Sequence, residues 1–76
     1  MMINIQNIIR HNVEVMELLL SLEPPFTSRH IDLTSGQLKR FANSGIITRL
    51  GYRNSIIQYE LSNHQRKIIN AVLIKL

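Results

Sequence analysis

Cysteine and tryptophan are both absent from this chain of 76 residues, and only two Phe and two Tyr supply aromatic rings. Without cysteine the chain can form neither a disulfide framework nor a thiolate metal site, so no such link compensates for its small size. We predict a single domain, residues 1–76, with a core built mainly from isoleucine and leucine. Self-association is the remaining way to add buried surface.

Long apolar runs and catalytic motifs are also lacking. No apolar run approaches the roughly 18 residues that span a bilayer, and no basic segment leads into a secretion signal, so we expect a cytoplasmic protein without a membrane partner. His11, His30 and His64 are isolated, and the chain has no paired carboxylates at a spacing useful for catalysis and no glycine-rich phosphate loop. We therefore expect no catalytic residue, no metal, no cofactor and no small-molecule ligand.

Positive charge is concentrated in one part of the chain. The formal net charge is +4. Residues 27–59 carry that whole excess, since they hold Asp32 and five cations, whereas the acidic and basic residues elsewhere cancel; the five are Arg29, Lys39, Arg40, Arg49 and Arg53. A high pI also keeps a small protein soluble, but the segregation favours a surface that binds a polyanion such as nucleic acid.

The first half of the chain predicts helices. Aliphatic residues at three- and four-residue spacing indicate an N-terminal helix within residues 1–22, either continuous or in two pieces joined near His11-Asn12. Glu23-Pro24-Pro25 ends it. Residues 27–31 then predict a short helix with Thr27 or Ser28 as N-cap, followed by a turn.

After this turn, a further helix is predicted within residues 27–45. Thr34-Ser35-Gly36-Gln37 fits a capping box, and Gly45 supplies a left-handed stop, which gives a helix over residues 35–44. Its apolar stripe packs inward. The opposite face carries Gly36, Arg40 and Asn43, flanked by Gln37 and Lys39.

The remainder predicts a hairpin and a final helix. Ile46–Tyr52 and Ile56–Leu61 are rich in β-branched and aromatic residues, and the polar segment 53–55 between them predicts a turn within a hairpin over residues 46–61. Residues 62–65 repeat the capping box and open a C-terminal helix over residues 62–76.

The segment LKRFANSGIITRL and the end Tyr59-Glu60-Leu61-Ser62 resemble the recognition helix and wing of winged helix-turn-helix domains, as in MarR- and ArsR-type regulators. The resemblance covers roughly Val13 to Leu61. It implies an α+β, mainly α fold, with a three-helix core, a two-stranded wing and an additional C-terminal helix. It also implies a transcriptional regulator that binds double-stranded DNA sequence-specifically, with helix 35–44 in the major groove.

The same resemblance assigns the DNA-binding surface. Arg40 can donate two hydrogen bonds to guanine, and Asn43 can pair with adenine. Gln37 can also pair with adenine, or its side chain can serve only in the capping box. Lys39 and Arg29 suit phosphate contacts. In the hairpin, Arg53 near the tip is favoured over Arg49, which is also explained as a solubilising charge. The predicted DNA-binding residues are Thr27, Ser28, Arg29, Ser35, Gly36, Gln37, Lys39, Arg40, Asn43, Arg49 and Arg53.

Both ends of the chain carry more branched aliphatic residues than a small three-helix core should bury. We expect a homodimer that reads an inverted repeat with half-sites one helical turn apart. The alternative is that the terminal helices simply pack on each other. The predicted interface residues are Ile5, Ile8, Ile9, Ile69, Val72, Leu73 and Leu76.

Two other functions fit the same pattern. A winged helix can serve as a protein-interaction module of a larger complex, with Ile56 and the terminal helices as the contact surface. A basic winged helix can also coat DNA with little sequence preference. The effect of replacing Arg40 separates DNA binding from the interaction module.

Overall fold

The computed structural model of the protein describes residues 4–31 and 33–76. Within these ranges the fold is α+β, as predicted, with four helices and a two-stranded antiparallel hairpin. Residues 1–3 of the predicted N-terminal helix and Asp32 of the predicted turn lie outside the described residues. The elements in chain order are α1 (Ile5–Arg10), α2 (Val13–Ser21), α3 (Ser35–Asn43), β1 (Thr48–Arg53), β2 (Ile56–Glu60) and α4 (Asn63–Ile74).

The N-terminal segment forms two helices rather than one continuous helix. Asn12, between α1 and α2, has φ −135° and ψ 40°, which lies outside the helical region. Its side-chain amide donates to the carbonyl oxygen of Ile8 at 2.7 Å. This bond satisfies a carbonyl near the end of α1 and lets the chain change direction, so the two-piece alternative is correct.

The segment after α2 forms a turn, and the prediction of a short helix over residues 27–31 was wrong. The backbone N–H of Thr27 donates to Nδ1 of His30 at 2.9 Å, and the N–H of Arg29 donates to the Thr27 hydroxyl oxygen at 3.1 Å. These are the contacts of an N-cap, but the backbone bond from the His30 N–H to the Thr27 carbonyl, at 3.0 Å, closes a single turn, and the Leu33 N–H then bonds to the Ile31 carbonyl at 2.7 Å instead of extending a helix. The region 27–45 therefore holds one turn and one helix among its described residues.

Helix α3 has the predicted start and stop. The Thr34 hydroxyl accepts from the N–H of Gln37 at 3.2 Å, and the Gln37 side chain accepts from the N–H of Thr34 at 3.0 Å. At the other end, Gly45 has φ +85° and donates to the carbonyl of Ala42, while Ile46 donates to that of Phe41. These two bonds form a Schellman motif, which satisfies the last carbonyls of the helix.

The hairpin is shorter than predicted and turns over two residues. Asn54 and Ser55 both have positive φ, 53° and 65°, as a type I′ turn requires. Arg53 therefore belongs to β1, where it pairs with Ile56, and is not part of the turn. On its other side β2 forms an isolated bridge to Phe26, with N···O distances of 2.8 and 2.9 Å to Tyr59. That bridge fixes the segment before α3 against the hairpin.

The core lies between the helices and one face of the hairpin. Helices α1 and α4 pack against each other, with Ile9 and Ile69 essentially fully buried. Three residues predicted for a dimer interface, Ile9, Ile69 and Val72, are thus part of the core of a single chain, because the terminal helices pack on each other as the alternative stated. The buried apolar residues are Ile9, Met16, Leu19, Phe26, Ile31, Leu38, Phe41, Ile46, Ile47, Tyr59, Leu61, Ile69 and Val72.

The other predicted interface residues differ in exposure. Ile5, Ile8 and Leu73 are half-buried against the core. Leu76 lies beyond the end of α4 and is exposed. In the described ranges, every helix is too short or too polar to cross a membrane.

Candidate nucleic-acid interface

Helix α3 presents its polar face to solvent. Leu38 and Phe41 are buried beneath it, which turns the remaining positions outward because the helix repeats every 3.6 residues. The exposed residues include all six that sequence reasoning assigned to this helix: Ser35, Gly36, Gln37, Lys39, Arg40 and Asn43. The pattern of the sequence therefore located this face correctly.

Gln37 already has a structural role at the start of α3. Its side-chain oxygen accepts from the backbone N–H of Thr34 as part of the capping box. A glutamine amide has both an oxygen acceptor and a nitrogen with two donor hydrogens. The amide nitrogen is the group that Gln37 can offer to a ligand.

An open cleft of about 480 Å³ lies between α3 and the junction of α1 with α2. Arg40 and Asn43 form one wall, and Ile8 and Asn12 form the other. Residues about 30 positions apart in sequence create this cleft, so local patterns cannot reveal it. The three side chains predicted to read bases, Gln37, Arg40 and Asn43, therefore border free space.

The residues predicted before α3 have different environments. Thr27 is 5% exposed and its hydroxyl accepts from the N–H of Arg29, so it is buried and cannot meet a ligand directly. Ser28 is half-buried and Arg29 is exposed. Together with Ser35 they line a second cleft, of about 350 Å³, which separates the start of α3 from the hairpin.

On the hairpin, the predicted residue Arg49 contacts an exposed residue that the sequence analysis did not include, Tyr52. The guanidinium carbon of Arg49 lies 5.3 Å from the centroid of the Tyr52 ring, and Tyr52 is 67% exposed. Arg49 thus contacts an aromatic ring as well as solvent. Tyr52 was not predicted from the sequence as a site residue, although its position between the basic residues of a strand could have indicated it. Arg53 is exposed at the end of β1.

No family model matches this sequence. Searches of curated proteins and of solved structures also return no match.

The charged residues of segment 33–59 have one sign. Arg29, Lys39, Arg40, Arg49 and Arg53 are all exposed, and residues 33–59 contain no Asp or Glu. Across the part of the chain that the structure describes, no three His, Cys, Asp or Glu residues come together as a metal site. The arrangement suits an extended anionic ligand, because separated cations can each meet a different phosphate.

Proposed function

We propose that the protein is a winged helix-turn-helix domain that binds double-stranded DNA sequence-specifically and acts as a transcriptional regulator. The observation that carries the proposal is the outward face of α3, where Lys39, Arg40 and Asn43 are exposed beside a hairpin with two more exposed arginines. A major groove about 12 Å wide accepts one helix. Helix α3 would lie in the groove, and the hairpin would meet the adjacent backbone.

Each side chain has a role that its chemistry allows. Arg40 would donate two hydrogen bonds to guanine, and Asn43 would pair with adenine. Lys39 and Arg29 would hold phosphates and set the register of the helix on the duplex. A methyl group at Gly36 would meet only the Thr34 hydroxyl, at 3.8 Å, so the fold does not require glycine there. Close approach to DNA is a reason for glycine at this position.

The proposal is tested by fluorescence anisotropy with a library of duplex DNA, at salt concentrations from about 50 to 200 mM. Log affinity should fall linearly with log salt, because phosphate contacts release counterions. On a selected site, Arg40→Ala should cost about 1 to 3 kcal/mol and relax the preference for one base pair. Lys67→Ala is the matched control, since it removes an exposed cation from α4.

Two outcomes would contradict the proposal in different ways. Binding that follows salt but shows no preference among sequences would identify a DNA-coating protein. Absence of duplex binding at low salt would favour the interaction module, for which the exposed side chains of Ile74 and Leu76 supply an apolar contact. In that case Arg40→Ala should leave partner binding unchanged.

We also propose that the protein forms a homodimer. Ile74 is 82% exposed and Leu76 is 61% exposed, and Leu73 beside them is half-buried. Because Ile9, Ile69 and Val72 are used in the core, the predicted residues at this end that support self-association are Leu73 and Leu76, and Ile74, which was not among the predicted residues, adds to them. A two-fold dimer would present two α3 helices to an inverted repeat.

A further inference from the structure

A bulge in β1 brings Arg49 and Tyr52 to the same face of the hairpin. Side chains alternate along a regular strand, so residues three apart point to opposite faces. In β1 the pairing shifts: Arg49 pairs with Tyr59 and Gly51 pairs with Gln58, which leaves Leu50 as the extra residue. One inserted residue puts positions 49 and 52 on one side.

Gly51 makes this bulge possible. Its φ is +122°, a conformation that residues with a side chain rarely adopt. A methyl group there would meet no heavy atom within 4 Å, so the backbone conformation, and not lack of space, is the reason for glycine. The position of Tyr52 relative to Arg49 therefore depends on one residue of the sequence.

The Tyr52 ring contacts Arg49 and is still accessible to a ligand. The guanidinium carbon of Arg49 at 5.3 Å from the ring centroid lies within the range of a cation–π contact, about 6 Å. Arg49 can cover only one side of the ring, and two thirds of the Tyr52 side chain remains open to solvent. A flat ligand can therefore stack on the side of the ring that Arg49 leaves open.

Tyr52 also borders the cleft between the hairpin and the start of α3. The volume of about 350 Å³ lies within the range of small-ligand sites, roughly 300 to 1,000 Å³. Ser28, Ser35 and Ser55 supply hydroxyls, Arg29 supplies a cation, and Ile57 supplies apolar surface. An aromatic face, hydroxyls and cations together match a nucleobase with its phosphate.

We infer that this cleft binds an unpaired nucleobase stacked on Tyr52, with Arg49 and Arg29 near its phosphate. Bases inside a duplex already stack on their neighbours, so the base belongs to a single strand or to a free nucleotide. The inference rests on the proposed function in that it takes nucleic acid as the ligand. It shares Arg29 and Arg49 with that proposal, but the base stacks on Tyr52, whereas Arg40 and Asn43 border the other cleft.

The test compares variants in anisotropy titrations with a mixed-sequence single-stranded 12-mer. Tyr52→Ala should weaken binding about tenfold or more, and Tyr52→Trp should keep it, because stacking needs only an aromatic face. Leu18→Ala is the matched control: it removes a half-exposed apolar residue of α2 that lies outside the cleft and outside the bulge. Unchanged binding by Tyr52→Ala, or an equal loss for Leu18→Ala, overturns the inference.

Tyrosine emission supplies a readout that reports on the base itself. The chain has no Trp, so in a Tyr59→Phe background Tyr52 is the sole fluorophore. A stacked base should quench it, whereas an oligonucleotide of abasic residues should bind more weakly and leave the emission unchanged. Equal binding and equal quenching by the abasic strand would overturn the inference.

The same readout identifies the source of the base. Quenching by AMP at concentrations similar to those of the 12-mer indicates a free nucleotide, and quenching by the 12-mer alone indicates a strand; both support the nucleobase. If Arg40→Ala weakens binding to duplex DNA but Tyr52→Ala does not change binding to single strands, this inference alone is overturned. If Tyr52→Ala weakens binding to single strands but the protein does not bind duplex DNA, the proposed function alone is overturned.

Discussion

At the scale of single residues, the ring and the hydroxyl of Tyr59 contribute differently to stability. Its ring is 1% exposed and stacks on Phe26, with centroids 6.4 Å apart. Its hydroxyl has no hydrogen-bond partner among the residues that the structure describes. A buried hydroxyl without a partner costs about 1 to 3 kcal/mol, so the ring stabilises the fold and the oxygen does not.

Tyr59→Phe should therefore leave the free energy of unfolding unchanged or raise it by up to about 1 kcal/mol, since it removes only the unpaired oxygen. Urea denaturation followed by circular dichroism measures this change. Tyr59→Ala is the companion variant, and it should lose about 3 to 5 kcal/mol because it also leaves a cavity. A loss of more than 1 kcal/mol in Tyr59→Phe would mean that the hydroxyl is bonded in solution.

At the scale of elements, Gln65 connects three parts of the fold. Its side chain accepts from the N–H of Ser62 in the α4 capping box and from the Thr48 hydroxyl on β1, both at 2.9 Å. Its amide nitrogen donates to the carbonyl of Gly45, after α3, at 3.0 Å. The capping box was predicted, but the two long-range bonds were not.

Gln65→Ala should accordingly destabilise the protein more than Gln37→Ala. We expect losses of about 2 to 3 kcal/mol and about 1 kcal/mol, because Gln37 bonds only within its own capping box whereas Gln65 also joins distant elements. The two variants delete the same group from equivalent cap positions, so each is the control for the other in a denaturant titration. Equal losses would show that the long-range bonds contribute nothing.

At the scale of the whole molecule, the helices that close the core differ from the elements that carry the exposed cations of residues 27–59. The packing of α1 on α4 closes the core, and the exposed cations of residues 27–59 lie on α3, the hairpin and the turn before α3. Arg66 of α4 adds one more link, donating to the carbonyl of Leu20 at the end of α2 at 3.0 Å. Helix α4 thus contributes to the stability of the chain, while Ile74 in its last turn is left exposed.

Two lysine substitutions on α4 separate folding from self-association. Ile69→Lys should unfold most of the protein, because it places a charge in the core of a domain whose stability is about 5 to 15 kcal/mol. Ile74→Lys should keep the helical circular dichroism signal, because Ile74 is 82% exposed. If the proposed dimer forms, sedimentation equilibrium should show a dimer for the original chain and a monomer for Ile74→Lys. Identical masses for the two would exclude Ile74 from any interface.

The sequence by itself determined the features that depend on neighbouring residues. Both capping boxes, the stop at Gly45, the hairpin and the outward face of α3 follow from residues three or four positions apart, or from turn chemistry, and the structure has them all. The concentration of positive charge is likewise a property of the sequence alone.

Tertiary structure decided what depends on residues distant in the chain. The segment 28–31 is a turn where a helix was predicted: the His30 N–H bonds to the Thr27 carbonyl, and the Leu33 N–H bonds to the Ile31 carbonyl, beside the bridge from Phe26 to Tyr59. The burial of Ile9 and Ile69 required α1 and α4 to meet, and both clefts required α3 to have neighbours on either side. Periodicity shows which side of an element is apolar, but the partner that covers that side is chosen by the free energy of the whole packed chain.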